Sequence, residues 1–227
     1  AIAGLYSHTG RYQEAEQAFR EAVLLYPASP EASFRYIQEV LLPLRKWNVV
    51  EDILNYTDRV DPNNTRTKAM RGYMERMRSL TEQIGALQAK AAKSGLSATE
   101  NIILSGCFLQ LGQTSPARNF TKKALESKDA NFECFYRGSQ IYTQCGLRGD
   151  AAQAAKRALD MLPPNAPPHF RKDLALTLIE GGMATEANAQ LNEYLRVQPK
   201  DAEAWLAAAL AKDALSQVTE AQRAIIQ

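Results

Sequence analysis

The sequence is poor in the residues on which most enzymes and metal sites depend. Among 227 residues only two are histidines, His8 and His169, which is too few for an imidazole-based triad or an HExxH site. The three cysteines, Cys107, Cys134 and Cys145, form no CxxC and leave one over. That argues against a disulfide framework or a zinc site and for a reducing compartment. GxxxxGK, GxSxG and GxGxxG are all missing, so neither a phosphate cradle nor a nucleophile elbow is readable. No apolar run approaches about eighteen residues, so membrane insertion is not expected. Charge of one sign is lacking too. The 27 basic and 25 acidic residues give +2, too little to argue for nucleic acid or a lipid surface.

What remains is a chain with 45% apolar residues, typical of a folded, soluble protein. Glu51 and Asp52 are consecutive and point to different sides of a helix, which is poor geometry for shared proton transfer. The reading is therefore non-catalytic, with no catalytic, cofactor-binding or metal-ligating residues and no cofactor. A cytoplasmic location is expected, with a periplasmic or membrane-tethered one open for a longer chain. The sequence opens Ala-Ile-Ala-Gly without an initiator Met, and both ends read as cuts through a repeat, as in a fragment of a larger protein.

A periodic pattern dominates. Gly10, Ala15, Ala22 and Pro27 stand at offsets 0, 5, 12 and 17. Gly146, Ala151, Ala158 and Pro163 repeat those offsets, and so do Gly182, Ala187, Tyr194 and Pro199. Gly112, Ala117, Ala124 and Asp129 follow with one change, and a weaker copy runs through Arg45, Val50 and Pro62. The steps between first members are 35, 67, 34 and 36, and a further 34 reaches Ser216 with Ala221 five residues on. Glycine lets the chain reverse between two helices, alanine lets helices approach closely, and proline ends the second helix. Ahead of each turn lies an apolar stripe at helical spacing, as in Phe135, Gly138, Ser139 and Tyr142. Leu174, Ala175 and Leu178 repeat it, as do Trp205, Ala208 and Ala209. Trp47 and Trp205 read as core residues. Helix pairs of about 34 residues cannot bury their faces alone and must stack on neighbours.

This grammar resembles the tetratricopeptide repeat (TPR) family over most of the chain except roughly 64–96. The resemblance implies an all-α fold, a right-handed α-solenoid or superhelix of antiparallel helix pairs, usually presenting a concave groove to a protein partner. The expected segments are 1–64 as helix pairs, 65–96 as an atypical long helix or degenerate repeat, and 97–227 as helix pairs again.

The step of 67 residues marks the departure. From Tyr73 through Ile84 there is no Gly or Pro, and Met70, Tyr73, Met77, Leu80, Ile84, Leu87 and Ala91 alternate steps of three and four. That stripe predicts one continuous helix over about 65–93, roughly 43 Å long. The competing reading is a degenerate pair turning near Ser79 and Thr81. Between Arg59 and Lys93 stand eight basic residues and three acidic ones. A solvated face is the plainer account of this charge, with nucleic-acid binding through Arg71 and Arg78 the weaker alternative. The apolar stripe suggests a homodimer through 65–93.

On the first helix of each pair, the stripe opposite the packed one is free to line a groove. The predicted partner-binding residues are Arg35, Glu39, Ile102, Glu133, Tyr136, Arg137, Gln140, Lys172 and Leu176, with Ile179, Leu206 and Leu210 on the same stripe farther along. This mixture of apolar residues with Tyr and Arg suits a protein or peptide partner. TPR modules that clamp acidic chaperone tails carry Lys and Asn four apart on the first helix. The corresponding pairs here are Arg35 with Glu39, Tyr136 with Gln140 and Lys172 with Leu176, so that clamp is missing. The leading reading is a scaffold for protein–protein interaction. The alternative is a substrate-recruiting or regulatory appendage of a larger enzyme such as a glycosyltransferase.

Overall fold

In the computed structural model the described residues are 2–26 and 30–215, and every regular element among them is helical. Pro27, Ser216 and Ala221 of the repeat pattern lie outside them. The helices are α1 (Ile2–His8), α2 (Tyr12–Leu25), α3 (Pro30–Tyr36), α4 (Trp47–Val60), α5 (Thr65–Ser94), α6 (Ala98–Gln110), α7 (Thr114–Leu125), α8 (Phe132–Gln144), α9 (Arg148–Asp160), α10 (His169–Glu180), α11 (Ala184–Val197) and α12 (Ala202–Ala214). The chain divides into two compact units, Ala1–Thr81 and Glu82–Gln227. In the first, Ala15, Phe19, Phe34, Ile37, Val50, Leu54 and Met70 share one core. In the second, Phe135, Ala155, Leu174, Leu178, Leu191 and Ala208 share another.

The turns explain the period. Gly10, Gly112, Gly146 and Gly182 all adopt positive φ, between 72° and 80°. Each closes the same pair of backbone bonds. The Gly146 N–H donates to the Thr143 carbonyl at 2.9 Å, and the Leu147 N–H donates to the Tyr142 carbonyl at 2.9 Å. This is the Schellman arrangement, which satisfies the last carbonyls of the first helix while the second begins one residue later. Arg45 takes the glycine's place with φ 55° and makes both bonds, to Leu42 and through Lys46 to Leu41. Five residues on, Ala15, Val50, Ala117, Ala151 and Ala187 are fully buried. The small side chains set the helix spacing. A Cβ on Gly181 would stand 2.3 Å from the Ala152 Cβ and 2.8 Å from the Arg148 carbonyl oxygen.

Three of the first helices in the second unit are capped by a side chain, whereas α10 begins after Pro168 without one. Ser97 and Glu100 form a capping box on α6, Asn131 accepts from the Cys134 N–H on α8, and Asp201 accepts from the Ala204 N–H on α12. The helix begun by α3 passes into a π-helical turn over Ile37–Leu41, where the Leu42 N–H donates to the Ile37 carbonyl at 2.9 Å. Pro43 has no N–H to offer the Glu39 carbonyl, so the regular ladder cannot continue.

The long interval holds a single helix, α5, of 30 residues ending at Gly95 with φ 77°. The degenerate pair turning at Ser79 and Thr81 is thereby excluded. Its buried positions are Thr67, Met70, Met74, Leu80 and Ile84. The predicted stripe is corrected at two places, since Met74 is buried where Tyr73 is 40% exposed and Ala91 is exposed, while Met77 and Leu87 are half-buried. Several of the basic residues are paired. Arg71 Nη2 pairs with Asp58 Oδ2 at 2.7 Å, Arg66 pairs with Glu31 over the Phe34 ring, and Lys90 pairs with Glu100. Trp47 and Trp205 are half-buried rather than fully enclosed.

Candidate functional site

In the second unit the first helices of successive pairs lie side by side, α6 against α8, α8 against α10 and α10 against α12. Their partners α7, α9 and α11 pack on one side of this row. The opposite side is the stripe singled out from the sequence. Seven of the predicted residues lie in this unit, whereas Arg35 and Glu39 lie in the first.

Ile102 is corrected: it is 3% exposed and cannot meet a partner. The end of α5 lies close to α6. Lys90 pairs with Glu100, and Cys107 Sγ donates to Gln83 Oε1 at 3.6 Å. The exposed apolar residue on α6 is Ile103.

On α8, Glu133 and Arg137 form an exposed ion pair one turn apart, and Gln140 is exposed. Tyr136 is half-buried, and its hydroxyl donates to Asp173 Oδ2 on α10 at 2.8 Å. Burial first, and the carboxylate of Asp173 second, push the Tyr136 phenol up to about 12, so it is a neutral donor at physiological pH. Its ring stacks on Phe132 at 5.9 Å and meets the edge of Phe170 at 4.8 Å. Neither phenylalanine was on the predicted stripe. Both stand in the first turn of their helices, ahead of the first residue named on each stripe.

Lys172 is not free to clamp a ligand. Its ammonium donates to Asp201 Oδ2 at 2.9 Å and pairs with Glu203, tying α10 to the start of α12. These bonds, Glu203's foremost, hold the lysine above its ordinary range. Asp201 also accepts from the Tyr194 hydroxyl at 2.7 Å. Hydrogen bonds from Tyr194 and Lys172, in that order, lower Asp201 to about 2. Leu176 and Ile179 are half-buried against the core, while Leu206 and Leu210 on α12 are 53% and 54% exposed. The face therefore offers an apolar strip bordered by charges that already have partners.

In the first unit Arg35 and Glu39 pair with each other at 2.7 Å. Glu39 Oε2 accepts from the Ser7 hydroxyl at 3.2 Å. Arg35 Nη2 would stand 2.6 Å from a Cβ placed on Gly4. That pair bridges α1 to the following first helix, and the glycine makes room for it. Among the described residues no cluster of His, Cys, Asp or Glu could hold a metal ion, and no helix is long and apolar enough to cross a membrane.

Residues 1–29 match the model of the tetratricopeptide repeat. No curated protein matches the chain in sequence. Among solved structures the chain is similar to MamA, at 16% identity and TM-score 0.49 over 63% of this chain and 82% of that one. It is similar to YrrB, described as a TPR protein with an unusual peptide-binding site, at 14% identity and TM-score 0.48 over 92% and 89%. A tetratricopeptide repeat protein from Parabacteroides merdae shares 18% identity, with TM-score 0.45 over 92% and 78%. These likenesses concern the fold alone. Residues 1–29 thus match one tetratricopeptide repeat, the glycine-type turns recur in phase along the chain, and the fold is all-α with stacked helix pairs.

Proposed function

We propose that the chain is a non-catalytic scaffold that binds a protein or peptide on the open side of the α8–α10–α12 row. The observation that carries this reading is the pair of exposed leucines, Leu206 and Leu210, continuous in register with Leu176 and Ile179 on α10. An apolar strip framed by polar residues is the usual composition of a recognition surface. The framing charges are paired within the protein, so the strip is the part that gains most from a partner. Lys172 acts here by fixing α12 beside α10, and Tyr136 by joining α8 to α10 through Asp173. Gln140 and the Glu133–Arg137 pair supply polar rim contacts. The fitting partner is an amphipathic helix or extended segment with apolar residues at intervals matching the helix row.

The test uses exposed positions so that folding is preserved. Once a partner has been captured, Leu206→Asp combined with Leu210→Asp should weaken its affinity by at least about tenfold while the helical circular-dichroism spectrum is unchanged, as expected of central apolar contacts. Unchanged affinity would sink the assignment.

A further inference from the structure

We propose that the cleft between α7 and α9 is a second binding site, for an acidic peptide segment bearing an aromatic or large aliphatic side chain. The cleft has a volume of about 570 Å³, within the size range of small-ligand pockets. It lies on the side of α8 away from the open strip, so it stands independently of the function proposed above. Its floor is formed by Phe135 and Tyr142, and its walls carry Arg118 and Lys122 from α7 and Arg157 from α9.

The charges in this cleft differ from those elsewhere in the unit. On the open side of the row Lys172 and Arg137 are tied to carboxylates, and on the outer helices Lys156 pairs with Glu186. In the cleft, Arg118 makes neither a hydrogen bond nor an ion pair with any described residue. Arg157 has no carboxylate partner either, and its guanidinium lies 5.8 Å from the centre of the Phe135 ring. Lys122 reaches Glu126 only at 3.8 Å, with both side chains about two-thirds exposed, a pairing of little energetic weight. Asp150 also lines the cleft, so three cations face two carboxylates.

The floor adds a directional donor. Burial first, then the charges of Asp150 and Glu126, raise the Tyr142 phenol above its ordinary range, so it is neutral and able to donate. Its hydroxyl makes no hydrogen bond to a described residue. An extended peptide would place an apolar side chain against the half-buried Leu125 and Leu147 above the Phe135 floor, a carbonyl towards the Tyr142 hydroxyl and a carboxylate on an unpaired guanidinium. Guanidinium and carboxylate match in bidentate geometry, and the partly enclosed floor strengthens the attraction. A lysine-bearing peptide of equal hydrophobicity would meet net repulsion.

The experiment follows backbone amide shifts in the ¹⁵N-labelled full chain during titration with acetyl-Glu-Phe-Glu-amide, with acetyl-Lys-Phe-Lys-amide as the comparison. The acidic peptide should move the amides of residues 118, 122, 135, 142 and 157, and the basic one should not. Arg118→Glu and Arg157→Glu should each weaken the acidic peptide by about tenfold, as expected for loss and reversal of a charge-assisted contact. Leu206→Asp with Leu210→Asp should leave it unaffected. The proposal is overturned if the acidic peptide shifts nothing at millimolar concentration, if both peptides act alike, if the shifts fall on the exposed side of α10 and α12, or if both arginine variants bind as the parent does.

Discussion

An arginine held at positive φ pays a steric cost that glycine avoids, and Arg45 sits at φ 55° where four other turns place glycine. Its hydrogen bonds repeat those of the glycine turns, so Arg45→Gly should relieve strain without disturbing the turn. The expected gain is about 1 kcal/mol, or a rise of roughly 2–4 °C in thermal midpoint for a chain of this size. A lowered midpoint would mean that Arg45 contributes contacts worth more than the strain. Asp201 makes a second prediction. Its folded pKa of about 2 lies below its ordinary 3.8, so its contribution is fully present above about pH 4 and disappears as pH falls through about 2. Asp201→Asn keeps a capping oxygen for α12 and removes the charge. The variant should be less stable than the parent by on the order of 1–2 kcal/mol at pH 7. The two should converge near pH 2, as read from hydrogen-exchange protection of α11 and α12. A gap that persists unchanged in acid would contradict the pairing with Lys172 and Tyr194.

At the scale of the element, helix boundaries were legible because they are set by residue types with one physical job. Glycine at the Schellman position and alanine five residues later are buried or turned as their chemistry requires. The uninterrupted stripe from Met70 to Ile84 likewise indicated one helix. Between Tyr73 and Met74, adjacent and both large, periodicity alone does not choose, and at Ala91 the stripe outruns the buried part of the helix. Ile102 is buried, and whether a stripe residue is covered by a neighbouring helix is a tertiary fact absent from local spacing. Phe132 and Phe170, which pack on the expected Tyr136, are not legible because their contact joins two helices distant in sequence. The π-helical turn left no trace in the repeat interval: Phe34 to Arg45 spans the same distance in sequence as Phe135 to Gly146. Only Pro43 hinted at it. Continuity of α5 is itself testable. Amides 78–82 should exchange as slowly as those of the adjoining turns, since each bonds within one helix. Fast exchange confined to those five would mean that the helix is broken there.

At the scale of the whole molecule, each unit stacks helix pairs about its own core, and internal repetition makes the same surface recur on successive first helices. Recurrence provides several copies of a site without requiring any of them to be catalytic. The differences between copies then decide where a partner gains most. On α8 the exposed side is polar, on α10 it is half-buried and aliphatic, and on α12 it carries two exposed leucines. Binding in this account is therefore strongest towards α10 and α12, with Tyr136 and Lys172 keeping the row in register. The most direct measurement places a photoreactive amino acid at position 210 on α12 or, as the control, at position 193 on the outer helix α11, and compares covalent capture of the physiological partner. The account predicts capture from 210 that is abolished by Leu206→Asp and weak or no capture from 193; equal capture from both positions, or capture from 193 alone, would contradict it.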